Sequence, residues 1–321
     1  MSPIPFSPLK DDLFFPCKNA QFFPNGAPAA QAALCAEMSR LAYCSVAPDA
    51  DSPAKLDLAF NQAKIKSVLQ GIGYSVSGVF ESQGQPSDEG AHCFIAMRND
   101  NQLAVVAFRG TDKNDPSDVA GDLNGLPADW KLNGKVVGKV HAGFNKFYQQ
   151  VIGGLLPIVQ ALQCRVLFTG HSLGAALATL LASARKPDAL YTFGSPRVGD
   201  AGFVTTLQGV NHYRYVDCSD IVTRIPPPLP GIVDYQHACP PLYIFENRNI
   251  EFDPSEIRIF ADRAAAFLEY PFKYNAFKKD HVGFRELADH APINYVTAVT
   301  AAPATLDCTP LVVKAAAAAG A

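Results

Sequence analysis

The chain predicts an α/β fold: a mostly parallel central sheet with helices on both faces and an antiparallel hairpin at its edge. Three observations carry this. Short apolar runs of strand character alternate with helical segments from Arg165 to Val216, the order of strand–helix–strand units in a parallel sheet. His92–Arg98 and Leu103–Phe108 are two apolar runs separated by the turn residues Asn99, Asp100 and Asn101, the pattern of a hairpin. Gly170-His171-Ser172-Leu173-Gly174 follows one strand and opens one helix, so Ser172 falls on a sharp turn between them. At 321 residues, 48% hydrophobic and 18% charged, the chain is long enough to build this as one large domain.

Residues 1–27, rich in Pro and Phe, read as an irregular arm that Phe14, Phe15, Phe22 and Phe23 pin to the body. Pro28 to Tyr43 is helical, because Leu34, Met38, Leu41 and Ala42 recur at helical spacing. A helix from about Ala54 to Gln70 leads into a strand from Tyr74 to Phe80, and the hairpin follows. Asp112 to Gly134, polar and rich in Gly and Asp, reads as a loop. Val136 to Val140 is a strand, and Gly143 to Ala161 a helix weakened at Gly153-Gly154. Beyond the Ser172 turn come helix Leu173–Arg185, strand Ala189–Phe193, helix Ala201–Gln208 and strand His212–Val216. Pro226 to Pro230 marks an irregular excursion. Asp253-Pro254-Ser255-Glu256 is a helix start, with an acid at the N-cap and Pro at the first position. Phe260, Ala264, Phe267 and Leu268 then share a face, Pro271 ends the helix, and a last helix spans Ile293 to Thr300. Residues 28–303 thus form a single catalytic-size domain, with an insertion at 226–288 that can act as a cap or lid, and 304–321 is a tail of small residues.

A net charge of -3 without any block of Lys and Arg argues against a nucleic-acid binder. No apolar run approaches the ~18 residues of a membrane span. The N-terminus lacks the basic segment and apolar core of a secretory signal. The expectation is a soluble chain, either cytoplasmic or exported with a leader that these residues do not include. Eight cysteines are scattered without Cys-x-x-Cys spacing, which disfavours a zinc site and leaves room for one or two bridges among mostly buried thiols.

The strand–turn–helix setting makes Ser172 a candidate nucleophile, facing the free N–H groups and positive end of the helix. Such a serine needs a base to take its proton and a carboxylate to orient that base, in the chain order serine, acid, histidine. The acid belongs on a loop after a later strand, and both Asp217 and Asp220 follow His212–Val216. The base comes from His237, His281 or His290, of which His290, in a loop before the last helix, is the best placed. The N–H of Leu173 is one donor for a developing oxyanion. Thr111, after the strand Val105–Phe108 and the turn residues Arg109-Gly110, is the second candidate.

Taken together, the motifs resemble the class 3 lipase family, the fungal-lipase-like branch of the α/β-hydrolases. The matching stretches are Ala107 to Thr111, Asp122-Leu123, Val140 to Phe144, Gly170 to Gly174, Thr192 to Asp200, Ser219 to Val222 and Asp289-His290, in the family's order. The resemblance implies an α/β-hydrolase fold and a serine carboxylester hydrolase acting on acylglycerols, with Ser172 as nucleophile, Asp220 as acid, His290 as base, and Thr111 and Leu173 in the oxyanion hole. It selects Asp220 over Asp217, because the family's acid precedes a pair such as Ile221-Val222 and a Pro-rich run. Thr223 stands where the family has Pro. Arg109, His141 and Arg197 match positions that hold loops. No metal or organic cofactor is implied. The partner is an ester or lipid substrate, at a lipid–water interface or free. Rival readings with the same chemistry are a phospholipase or an esterase of aromatic acids; one of another class is a silent lipid-binding protein. The family's lid falls in Asp112 to Gly134, which here has only scattered apolar residues (Val119, Leu123, Leu126, Trp130 and Leu132). Two readings stay open for Phe252, Tyr270, Phe272, Tyr274 and Phe277: they cover the site, or they pack onto the core.

Overall fold

Runs of apolar residues buried on both sides make the centre of the sheet. The computed structural model describes residues 6–18, 20–44, 61–82, 90–110, 125–229 and 231–302. In chain order the strands are β1 (Tyr74–Glu81), β2 (His92–Arg98), β3 (Leu103–Phe108), β4 (Pro127–Leu132), β5 (Lys135–His141), β6 (Arg165–His171), β7 (Ala189–Phe193), β8 (His212–Asp217), β9 (Leu242–Ile244) and β10 (Ile250–Phe252). Eight of them form one sheet in the order β1-β2-β3-β6-β7-β8-β9-β10. The neighbours from β3 to β9 run parallel. β3, β7 and β8 are buried along their whole length, which requires cover on both faces.

The helices supply that cover. α2 (Gln31–Leu41), α3 (Gln62–Gly71) and α9 (Pro292–Ala301) pack on one face. On the other lie α4 (Ala142–Ala161) and α5 (Leu173–Ala184). Shorter or peripheral helices are α1 (Lys10–Phe14), α6 (Ala201–Thr205), α7 (Glu256–Lys273) and α8 (Arg285–Ala288). Together these make an α/β-hydrolase fold. Among the described residues no helix is long and apolar enough to cross a membrane.

Four local expectations change. The β2–β3 hairpin forms as expected, but β1 pairs outside it, so the hairpin is not the edge. The opposite end of the sheet carries a second antiparallel pair, β9–β10, of three-residue strands too short to leave a periodic signal. Residues 127–132 are strand rather than loop: β4 pairs with β5 across Asn133-Gly134, whose φ values of 50 and 77 are those of a hairpin turn. Trp130 anchors that ribbon, buried, with Nε1 donating to Ser183 Oγ at 2.9 Å. Finally, α7 begins at Glu256 with Ser255 at its N-cap, and Pro271 lies inside its last turn instead of ending it. Of the expected lid, residues 111–124, with Val119, Asp122 and Leu123, lie outside the described residues, as do residues 54–60 of the expected helix and the tail from 303 onward.

The arm is held mainly by Phe6, whose ring lies 4.6 Å from that of Tyr274 and under the Arg285 guanidinium. Ser7 and Asn294 exchange two hydrogen bonds of 2.7 and 2.9 Å. Phe23 is buried and Phe22 stacks beneath Arg40, but Phe15 is exposed. A disulfide joins Cys17 to Cys44 at the end of α2.

Candidate active site

Between the last residue of β6 and the first of α5 stands one residue, Ser172, at φ 58 and ψ -128. A non-glycine residue rarely adopts this backbone, and it persists only where its surroundings over-determine it. Here they do. A Cβ on Gly170 would sit 2.2 Å from the carbonyl oxygen of Gly174, and one on Gly174 would sit 2.4 Å from that of Phe108. Strand and helix therefore meet at backbone contact, and only glycine fits at either crossing. The turn also diverts the hydroxyl. A serine at a helix N-cap ordinarily accepts from the first-turn N–H groups, but Ser172 makes no such bond. The N–H groups of Leu173 and its successor are left without intrahelical acceptors, at the positive end of the helix.

His290 reaches the same end of the sheet from the turn between α8 and α9. Its Nδ1 lies 3.0 and 2.9 Å from the two oxygens of Asp220. A carboxylate only accepts, so Nδ1 donates and a neutral ring keeps Nε2 as its acceptor. Asp220 is fully buried. Its oxygens also accept from Val222 N at 2.9 Å and from the Tyr295 hydroxyl at 2.5 Å. Burial, then the charges of Asp220 and Asp217, hold the Tyr295 phenol well above its usual range, so it stays a donor. Among the described residues no hydrogen bond joins the Ser172 hydroxyl to His290; catalytic contacts of this kind are often long before substrate binds.

The remaining candidates separate cleanly. Asp217, three residues before Asp220, turns the other way and is gripped by Arg248 at 2.9 and 2.8 Å. His281 donates from Nδ1 to Tyr274 O at 2.6 Å, and His237 donates from Nε2 to Thr223 O at 2.7 Å. Thr111 lies outside the described residues. Thr223, standing where Pro was expected, caps the acid's own turn by donating to Asp220 O at 2.8 Å. His141 accepts from Gly125 N at 2.9 Å and Arg197 donates to the carbonyls of Arg224 and Pro226, so both tie loops together.

Sequence reasoning missed three residues. His171 is buried between the Tyr43 hydroxyl, 2.7 Å from Nδ1, and the backbone oxygen of His290, 2.8 Å from Nε2. Because a carbonyl cannot donate, Nε2 carries the proton and Nδ1 accepts from Tyr43. Burial, and then the neighbouring His290, press its pKa well below the usual value, so the ring is a neutral strut. Asp289 accepts from Ser219 N at 2.9 Å and from Arg285 at 2.6 Å, fastening the acid's loop to the residue beside His290. Tyr295 sits in an apolar helix and gave no signal. Among the described residues no group of three or more His, Cys, Asp or Glu could hold a metal ion.

With this geometry in view, the comparisons with known proteins are specific. Residues 105–229, which hold most of β3, the Ser172 turn and Asp220, match the model of the family described as Lipase (class 3). A secreted mono- and diacylglycerol lipase 1 of Fusarium solani is 32% identical over 48% of this chain and 48% of its own length. A lipase of Rhizopus niveus is 35% identical over 41% of this chain and 37% of its own. The chain thus spans about half, or less, of the length of these relatives. The crystal structure of a lipase from Rhizopus microsporus var. chinensis matches 75% of this chain and 91% of that one, at 25% identity and a TM-score of 0.50. The ordered motifs, the family match over residues 105–229 and the fold likeness all point the same way, to a chain similar to the class 3 lipases.

Proposed function

We propose that this protein is a serine carboxylester hydrolase that cleaves lipid esters, acylglycerols foremost, through an acyl-enzyme. The observation that carries the reading is the two-point contact between His290 and Asp220 at the strand ends beside the strained turn of Ser172. In the reaction, the Ser172 hydroxyl attacks the ester carbonyl while His290 Nε2 takes its proton. Asp220 holds the ring in the tautomer that leaves Nε2 basic and stabilises the imidazolium. The Leu173 N–H, with Thr111 as its partner, receives the oxyanion. His290 then protonates the departing alcohol, and water repeats the sequence on the acyl-enzyme. The relatives named as lipases support the lipid-ester class.

The test is turnover on tributyrin, on long-chain glycerol esters and on phosphatidylcholine, with labelling by a serine-directed phosphonate. Ser172→Ala is expected to lower kcat by about 10⁴-fold or more and to abolish the label. A folded wild-type chain that neither turns over any of these esters nor labels would overturn the proposal in favour of a binding protein.

A further inference from the structure

Strand β8 buries a positive charge that no acid answers. Successive side chains of a strand face opposite ways. Tyr213 and Tyr215 join the core under α2, so His212 and Arg214 turn to the side that α5 covers. Arg214 is only 6% exposed. A guanidinium cannot shed its proton, and a charge taken from water is stable only when it is paired. Among the described residues no carboxylate pairs with Arg214. Its Nε donates to Cys239 O at 2.9 Å, and the groups that act on it most are the Cys239 thiol, the Tyr295 phenol and another cation, Arg197. The acid Asp234 is exposed and acts on half-buried Arg197.

A cavity lies against this charge, lined among others by Thr179 of α5, Ser195, His212, Arg214, Gln236 and His237. The centre of a water-sized sphere has about 10 Å³ in which to move there, room for one small occupant. Half-buried Gln236 and His237 mark the side toward the surface. The buried ring of His212 has Nε2 2.9 Å from the Thr192 hydroxyl, while its Nδ1 has no hydrogen-bond partner among the described residues. Thr192 is not part of the lining, so the ring leaves its Nδ1 edge to the cavity. With the hydroxyl donating to Nε2, Nδ1 carries the proton. The Ser195 hydroxyl bonds the carbonyl of the next residue, Pro196, and can turn inward. His237 spends its proton on Thr223 O and serves as wall.

These features select the occupant. Water could accept from Nδ1 but would leave the charge of Arg214 unanswered. A phosphate or a carboxylate is too large for the space. A halide brings a full negative charge and accepts from several donors at once.

We propose that this cavity binds one monovalent anion of halide size, chloride foremost, between the Arg214 guanidinium and His212 Nδ1. The ion joins β8 to the turn of Ser195 and to the segment of His237, which holds Thr223 and through it the loop of Asp220. Neither Ser172 nor His290 lines the cavity, so the ion stabilises the fold, and the inference stands apart from the proposed activity.

Two measurements on the full chain test it. Crystals soaked in sodium bromide are expected to show an anomalous peak between Arg214 and His212. Calorimetry at neutral pH, with chloride replacing gluconate at constant ionic strength, is expected to raise Tm saturably by about 2–4 °C. Arg214→Met, which removes the buried charge and keeps the apolar stem, is expected to abolish the chloride response. Should that variant fail to fold, His212→Phe removes the second donor, and the half-saturating chloride concentration is expected to rise about tenfold. A Tm indifferent to chloride overturns the proposal, and a bromide peak beside it then marks an adventitious ion only. So does a water alone in the cavity of bromide-soaked crystals, or a chloride response that survives unchanged in either variant.

Discussion

Gly194→Ala presses directly on the acid–base pair. Gly194 follows β7 at φ 59, and a Cβ there would lie 2.8 Å from Asp220 Oδ2 and 3.1 Å from both Cε1 and Nδ1 of His290. Ordinary contact begins near 3.4 Å, so the carboxylate would have to yield by roughly half an ångström. It cannot do so freely. The same oxygens accept from Val222 N at 2.9 Å and from Tyr295 at 2.5 Å, and moving them lengthens these bonds together with those to His290. The left-handed backbone adds about 1 kcal/mol for any residue with a Cβ. Misplacement on this scale costs about 10- to 100-fold in kcat, against a loss of a few degrees in Tm. KM for a soluble ester is expected to stay close to wild type. Stopped assays on tributyrin, with calorimetry on the same samples, separate the two effects. Wild-type kcat in a folded Gly194→Ala protein would refute the claim that the His290–Asp220 contact governs the rate.

Tyr295→Phe removes a donor to Asp220 and strips the buried Asp217 N–H, 3.0 Å away, of its acceptor; urea unfolding is expected to show a loss of about 1–3 kcal/mol, with reduced turnover. Arg248→Met leaves Asp217 buried and unpaired, a cost of about 3–5 kcal/mol. Burial already raises the Asp217 pKa against the pull of Arg248. An acid with a raised folded pKa has its full stability below the unfolded pKa and loses it as pH rises from there through the folded one, so unfolding curves should show this variant more damaged at pH 8 than at pH 5. His212 is the opposite case, with burial lowering its pKa from 6.5 to about 3. The unfolded chain binds its proton first, so stability present above pH 6.5 is lost as pH falls toward 3, by about 5 kcal/mol at most. His212→Gln is expected to flatten that slope in acid titrations followed by circular dichroism.

What the sequence disclosed was set by how local the deciding interactions are. The Ser172 turn is legible because its two glycines, its strand and its helix lie within twenty residues of one another. The choice between Asp217 and Asp220 is not. It depends on where Arg248 and His290 arrive, 31 and 70 residues away in the chain, and only the resemblance to a family could make it beforehand. The β4–β5 ribbon could have been read from Asn133-Gly134, but the polar residues around that pair hid the strands. The helix of Phe260 and Phe267 was legible as a helix from its period. Its orientation was not, because periodicity gives a face and only tertiary contacts say which side is water. Of the aromatics in that region, Tyr270 is buried while Phe252, Phe272 and Phe277 stand exposed, so neither reading of them as a group fits.

That orientation has an energetic consequence. Ile257, Phe260, Phe267, Leu268 and Phe272 of α7 stand exposed; turned inward, each would contribute about 1.5–3 kcal/mol by burial. α7 forgoes this for those five; its inner face buries Ile259, Ala266 and Tyr270 and sets an acid and a guanidinium against the loop of Cys218. In exchange, that loop is held from three sides: by Asp262 and Arg263 of α7, by Asp289 through Ser219 N, and by Tyr295 through Asp217 N and Asp220. The loop has little structure of its own beyond a 3₁₀ turn at Val222–Arg224, so without these ties Val222 N would be left as the main hold on the carboxylate of Asp220 from within the loop. Of these ties from outside the loop, that of Tyr295 reaches the carboxylate, which Val222 N also holds from within; those of α7 and Asp289 act on Cys218 and Ser219. Loosening α7 should therefore blur the His290–Asp220 contact through the backbone while the Tyr295 bond stays formed, whereas a change at Tyr295 acts on the carboxylate itself.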